Sequence, residues 1–333
     1  MQKGIQKGIK QGGNPLLTTG SDFASQNKED EKMELRPISP FVQDIFKKYE
    51  VLRPCFMSEG HFINQFLWEN YYNTKFATDD MALYLFFDRN GKRGAFCPLC
   101  SVDDLPEAFR RMEQQFHDVW NTKMNIYLID TLTKDVWQSA GLLSNYNLES
   151  DRDSADYIYD AEKMRTLSGR ALHKKKNLVN AFQREYEGRF SYESLGCKNI
   201  EEVKEFHEKW LDERRVYDKY NCIDNEEEGV YRLLGNCKSI DCRMGGIRMD
   251  GKLVAYTIGS YCESIQCAFI HIEKAEADVK GLYNYINQQF LIHEFPDACY
   301  VNREDDLGQE NLRQAKLSYR PIRLEEKYYI TEK

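Results

Sequence analysis

The chain contains no apolar run near the roughly 20 residues that a membrane-spanning helix needs. No basic-then-apolar leader of the secretory kind opens it, so a cytoplasmic setting is expected. Positive charge is in short supply. Lys and Arg number 46 against 54 Asp and Glu, a net charge of -8. The protein as a whole therefore does not attract nucleic acid, no DNA partner is expected, and any RNA contact needs a local basic patch. Metal-site signatures are thin. Cys97-Pro98-Leu99-Cys100 is a CxxC, but no second pair at that spacing accompanies it, and Cys237/Cys242 and Cys262/Cys267 fall in other elements. The ten cysteines are expected to be reduced thiols. Buried, inert packing is their default role, and zinc or redox use of the CxxC is the alternative. No metal and no cofactor are expected.

What is present is enough for two ordinary domains: 333 residues, 41% hydrophobic and 30% charged. Aromatics reach 13%, which suits packed sheets and equally suits stacking on bases. Residues 1–32 are rich in Gly, Gln, Lys, Ser and Asn and open with a near-repeat, QKGIQKGIK; a disordered leader is expected there. The polar, acidic stretch 144–155 is taken as a domain boundary, giving an N-terminal domain over 33–150 and a C-terminal domain over 151–333.

In the first half, short helices are expected over 41–49 and 62–72 and a clear helix over 103–116. Strands 83–87 and 95–97 flank Arg89-Asn90-Gly91-Lys92, a hairpin signal, and 124–129 reads as another strand. In the second half, long helices are expected over 165–186, 201–217 and 226–236. A second hairpin turns at Asp250-Gly251. Strand 267–272 then leads through Glu276-Ala277-Asp278-Val279-Lys280-Gly281 into a helix capped by Asp278, in which Leu282, Ile286, Phe290 and His293 recur at helical spacing. Pro296 ends it; strand 298–301, helix 311–319 and strand 323–330 follow.

Chemistry concentrates in two places. On a wheel of about 100° per residue, Leu167, Ala171, Leu178 and Phe182 form one stripe of the 165–186 helix; Lys174 falls inside it, with Arg170 and Asn177 at its borders. Lys174 is either a snorkelling lysine on a solvated helix or a cation aimed into a cleft for phosphate or carboxylate. The second place is Asn302-Arg303-Glu304-Asp305-Asp306-Leu307-Gly308, directly after a strand, where open α/β sheets hold ligands. Its carboxylates can orient an amine or take its proton, and Arg313 and Lys316, three apart on the next helix, can hold phosphate or polarise a carbonyl. The plainer alternative is a structural pairing of an acidic turn with a basic helix.

The order of the second half resembles the GNAT acyltransferase fold, in which glycines at the turn into the helix let backbone amides cradle the pyrophosphate of acyl-CoA. Here Gly281 stands alone, followed by Leu282 and Tyr283, with Asp278 beside it. Four segments, RPCFMSEGHFINQFLWENYY (53–72), LSGRALHKKKNLVNAF (167–182), IHIEKA (270–275) and YVNREDDLGQENLRQAKLSYRP (300–321), resemble the C-terminal domain of phosphatidylglycerol lysyltransferases. The resemblance implies an α/β (α+β) fold of two tandem GNAT-like domains, each a mixed, mainly antiparallel sheet flanked by helices, as in Fem-type aminoacyl ligases. It implies a bacterial acyltransferase, cytoplasmic or peripheral to the inner membrane. The expected reaction moves an aminoacyl group from aminoacyl-tRNA to a lipid, peptide or small-molecule acceptor without a covalent intermediate. The expected catalytic residues are Asp305, Asp306 and Lys316. Substrate contacts are expected from Arg170, Lys174, Asn177, Gly281, Asn302, Arg303, Glu304, Arg313 and Tyr319. The alternatives are acyl-CoA-dependent N-acylation, with acyl-CoA as co-substrate, and a non-catalytic binding protein.

Overall fold

Two tight turns shape the antiparallel parts of the sheet. Asn90 and Gly91, and likewise Asp250 and Gly251, all have positive φ, as the two-residue turns matching strand twist require. In the computed structural model, which describes residues 32–215 and 222–333, these turns join β3 (Ala82–Arg89) to β4 (Lys92–Phe96) and β9 (Arg243–Met249) to β10 (Lys252–Cys262). The expected leader falls almost wholly outside the described residues, as does the end of the helix expected over 201–217.

The remaining strands are β1 (Arg36–Pro37), β2 (Lys75–Thr78), β5 (Leu99–Cys100), β6 (Asn125–Asp130), β7 (Tyr146–Asp160), β8 (Phe190–Leu195), β11 (Cys267–Ala275), β12 (Tyr300–Asn302) and β13 (Arg323–Glu332). They form one continuous sheet in the order β1-β2-β3-β4-β6-β13-β7-β12-β11-β10-β9-β8, with β5 paired to β3. All pairings are antiparallel except two. β4 runs parallel to β6 across the helix Leu105–Gln114, and β11 runs parallel to β12 across the helix Leu282–Glu294. Each half thus contains an antiparallel run ending in a parallel crossover, which needs a connection of helix length. The fold is mixed α/β, as expected. Residues Glu34–Lys333 form one unit, and the last strand, β13, lies between β6 of the first half and β7.

Three expectations are corrected. The acidic stretch taken as a boundary lies largely within a strand: β7 spans Tyr146 to Asp160, with an irregularity in its pairing to β13 between Asp151 and Asp156. Its polar first half pairs with β13, so partner strands decide what local composition does not. The single helix expected over 165–186 is broken. Leu167 and Gly169 are left-handed, and Arg170–Leu172 forms a separate turn before the helix His173–Glu185. Not every cysteine is a thiol: Cys197, before the helix Ile200–Arg215, is bonded to Cys237, just past the helix Cys222–Gly235. The Cys97 and Cys100 thiols are buried, and burial pushes them up to about 11 and about 12.

The helix Leu282–Glu294 buries Leu282, Ile286 and Phe290 against β9 to β11 as its spacing predicts. Its cap differs: Gly281, not Asp278, stands at the N-cap, without a side-chain hydrogen bond. Gly281 has φ +86°, and a Cβ there would lie 2.5 Å from the carbonyl oxygen of Leu178. Conformation and helix packing therefore account for this glycine without a phosphate. Gly281→Ala is expected to cost at least about 2 kcal/mol more than Gly251→Ala, where φ is also positive but the space is open. Urea unfolding of the two variants measures the difference.

Candidate functional site

A buried lysine organises the centre of the sheet. Lys327 on β13 is fully buried, and its Nζ donates to Asp156 on β7 at 2.7 Å and to Glu59 at 2.8 Å. Burial alone would lower its pKa, but Asp156, Glu59 and Asp305 more than offset this and raise it. Asp156 also accepts from the Ser58 N–H at 2.7 Å and from Asn302 Nδ2 at 2.9 Å. Asn302, at the end of β12, donates to the Phe56 carbonyl as well, and its own oxygen accepts the Glu304 N–H at 2.6 Å. The segment 56–59, the sheet centre and the NREDD loop are thus one hydrogen-bonded body.

The loop is turned back on itself by Lys316. This side chain, 7% exposed, donates to the carbonyl of Arg303 at 2.6 Å and to that of Asp305. Burial lowers its pKa to about 8 against the pull of Asp305. Burial likewise pushes the Asp305 carboxyl up to about 7, against Lys327 and Lys316. Lys316 thus holds the backbone of Asp305, while the Asp305 carboxylate accepts the Leu307 N–H at 3.3 Å; a carboxyl shifted upward at a strand end is a candidate proton acceptor.

Asp306 is different. It is fully buried and accepts from Tyr157 (2.5 Å), Arg313 (2.7 and 2.9 Å) and Arg152 (3.2 Å). Burial pushes its carboxyl up, but the bonds from Arg313, Tyr157 and the Gly308 N–H outweigh it and hold it at about 2. This is the structural pairing of acidic turn and basic helix, so Asp306 and Arg313 build the loop.

On the other side, Arg303 pairs with Glu273 at 2.9 Å and lies 5.1 Å from the Tyr319 ring centre; Lys175 lies 4.4 Å from the same ring. Burial, then the charge of Arg303, lowers the Lys175 pKa. Among the described residues Lys175 forms no ion pair, and Asn284 Nδ2 donates to the Tyr319 hydroxyl at 2.5 Å. Lys175, not Lys174, is the cation turned inward: Lys174 is exposed. The left-handed break at 167–169 shifts the phase of the helix, so a wheel carried through it points to the wrong lysine. Arg170 and Asn177 are exposed too.

Glu304, with φ +54°, extends the site along β11 and β10. Its Oε1 lies 2.8 Å from His271 Nδ1, and His271 Nε2 lies 2.8 Å from the Ser260 hydroxyl. The structure therefore gathers Asn302 to Asp306, Lys316, Arg313 and Tyr319, leaves Arg170, Lys174 and Asn177 on the surface, and packs Gly281 against a helix. Glu59, Asp156, Lys175, Ser260, His271 and Lys327 were not singled out in the sequence. His271 lies in IHIEKA and Glu59 in the 53–72 segment, the one signal that pointed their way. The groove lined by Glu201, Lys204, Glu205, Glu208 and Tyr231 shares no residue with this site.

A mixed sheet with a parallel crossover in each half is shared with FemX, at 9% identity and a TM-score of 0.59 over 90% of this chain and 97% of that one. Residues 55–331 match the family described as phosphatidylglycerol lysyltransferase, C-terminal, and the chain belongs to that family. A conserved protein of unknown function from Bacteroides thetaiotaomicron shares 26% identity and a TM-score of 0.84, over 90% of this chain and 100% of that one. L-PGS from Bacillus licheniformis shares the fold at 14% identity and a TM-score of 0.62, over 92% of this chain and 94% of that one. An uncharacterised protein of Mycoplasmoides gallisepticum is 26% identical over 195 residues, 56% of this chain. The match spans 59% of that relative's length. Among the described residues no helix is long and apolar enough to cross a membrane.

Two outcomes test this site's electrostatics. Lys327→Met leaves Asp156 and Glu59 buried without their cation and is expected to cost roughly 3–5 kcal/mol in denaturant unfolding. The Asp306 carboxyl is held below its unfolded value of about 3.9. Its contribution is thus complete above that value and lost as pH falls toward about 2. Stability of the wild type should drop across that window, and Asp306→Asn should be less stable at neutral pH with a flatter acid limb.

Proposed function

We propose that the chain transfers an aminoacyl group from aminoacyl-tRNA to an amine or hydroxyl acceptor of a lipid, peptide or small molecule. The observation that carries this is the buried Lys316, anchored on the backbone carbonyls of Arg303 and Asp305 in the loop that follows β12, in a member of a family named for lysyl transfer. The acceptor attacks the aminoacyl ester carbonyl, and Asp305 takes its proton. Lys316 spends two of its three N–H donors on the loop and has one left for the developing oxyanion. Lys175 and Arg303, two cations sharing one tyrosine ring with Glu273 as the one ion-pair partner among the described residues, suit a phosphate of the tRNA acceptor end. The glycine that would mark a pyrophosphate cradle is explained by packing, which favours a donor other than acyl-CoA.

Discharge of total aminoacylated tRNA in the presence of candidate acceptors tests this. The rate should rise with pH through about 7, as Asp305 loses its proton, and fall above about 8, as Lys316 loses its own. Asp305→Asn should lose the rising limb, and Lys316→Ala should slow transfer by roughly 10²-fold or more. Lys175→Ala should raise KM for charged tRNA more than it lowers kcat. Full activity in Lys316→Ala, or micromolar acetyl-CoA binding without tRNA discharge, contradicts the proposal.

A further inference from the structure

The hydrogen-bonded line Ser260–His271–Glu304 has more order than burial of polar groups demands. Ser260 stands on β10 opposite Phe269 of β11. Just beyond, the ladder skips a residue: Gly259 faces Ile270 and Ile258 faces Ile272, so His271 is the extra residue of a bulge. A bulge takes a side chain out of strict alternation and re-aims it. Here it sets the ring between a hydroxyl on one strand and a carboxylate from the NREDD loop.

The protonation pattern follows from the partners. Nδ1 faces a carboxylate oxygen at 2.8 Å and so carries a hydrogen. In the neutral ring Nε2 is then the acceptor, and the Ser260 hydroxyl at 2.8 Å donates to it. The carboxylate is itself fixed. Asn64 Nδ2 donates to the same Oε1 at 3.3 Å, and the Glu304 backbone sits in the left-handed region, its N–H on Asn302 and its carbonyl on the Tyr157 N–H. A non-glycine residue held there is strained, and such strain persists where the surroundings enforce it. The imidazole is enclosed and Ser260 is 9% exposed, so water is largely kept from the hydroxyl. Nucleophile, base and orienting carboxylate thus occur in sequence, within hydrogen-bond reach of one another.

We propose that Ser260 is an acyl-accepting nucleophile, with His271 as its base and Glu304 as the residue that positions His271. This rests on the acyl-transfer function proposed above but is an alternative to its direct route: His271, not Asp305, takes the acceptor's proton, and transfer runs in two steps. Ser260 Oγ attacks the carbonyl carbon of the donor ester while its proton passes to His271 Nε2. The tetrahedral species expels the donor's hydroxyl oxygen, which takes the proton from Nε2, and a Ser260 ester remains. The acceptor amine or hydroxyl then attacks that ester, gives its proton to Nε2, and Ser260 leaves with a proton returned from the same nitrogen.

The full chain is incubated with p-nitrophenyl acetate, and the product is examined by intact mass and peptide mapping. One acetyl per chain on Ser260 is expected, with a matching burst of p-nitrophenolate. Ser260→Ala should show no such adduct while its unfolding midpoint is unchanged. His271→Gln should slow its formation roughly 10²-fold or more. Glu304→Gln should slow it as well, and Glu304→Asp should recover part of the rate, which a purely structural role would not produce. Absence of a Ser260 adduct, or an adduct formed equally fast in His271→Gln, overturns the inference. Discharge of charged tRNA by Ser260→Ala at the wild-type rate overturns it too, while leaving the aminoacyl-transfer reading intact. A Ser260 adduct from the ester without any discharge of charged tRNA supports the nucleophile and contradicts that donor.

Discussion

The burial of Lys327 is the constraint on which the rest of the structure depends. A fully enclosed cation must be met by carboxylates and hydrogen bonds, or the desolvation cost of several kcal/mol stays unmatched. Asp156 from β7 and Glu59 from the short turn Ser58–Gly60 meet it, and each comes from a different part of the chain. The C-terminal strand can occupy its place between β6 and β7 only if these partners arrive. The second carboxylate oxygen of Asp156 is taken by Ser58 and Asn302, so the same charge that anchors β13 also fixes where β12 ends. The strand end that carries Asp305 and Glu304 is therefore set by electrostatics at the sheet centre.

Three kinds of carboxylate follow from that frame, on three consecutive residues. Asp306 is saturated by two arginines and a tyrosine and stays ionised. Asp305 has the cations Lys316 and Lys327 near it but must share them with Asp156 and Glu59, so burial wins and its proton is held longer. Glu304 faces an imidazole. One acidic run thus supplies a structural anchor, a group that titrates near neutrality and an orienting carboxylate, each defined by what it faces. Sequence position alone would have treated them alike.

Much of this was legible in the residues. The Asn90-Gly91 and Asp250-Gly251 turns, the Leu282/Ile286/Phe290 stripe and the strand before NREDD carry local signals that tertiary structure did not override. The segment 300–321 placed Asp305, Lys316 and Tyr319 together. What was not legible had tertiary causes. β7 looks like a linker because its first half is solvent-facing and exists as strand through β13. Leu167 in a left-handed conformation breaks the helix with no proline to announce it, and the error carries forward from Lys175 to Lys174. The Cys197–Cys237 bond joins residues 40 apart that only the arrangement of two helices brings together. Ser260 and His271 meet through a β-bulge, which leaves no mark in hydrophobic alternation.

The central claim is that this strand end receives an aminoacyl donor. A crystal structure of the full chain with a non-hydrolysable 3′-aminoacylamino analogue of the charged tRNA terminus tests it most directly. The account predicts the analogue's carbonyl within hydrogen-bond reach of the Lys316 side chain, with its phosphate against Lys175 and Arg303. An analogue bound elsewhere, or none bound at saturating concentration, would contradict it.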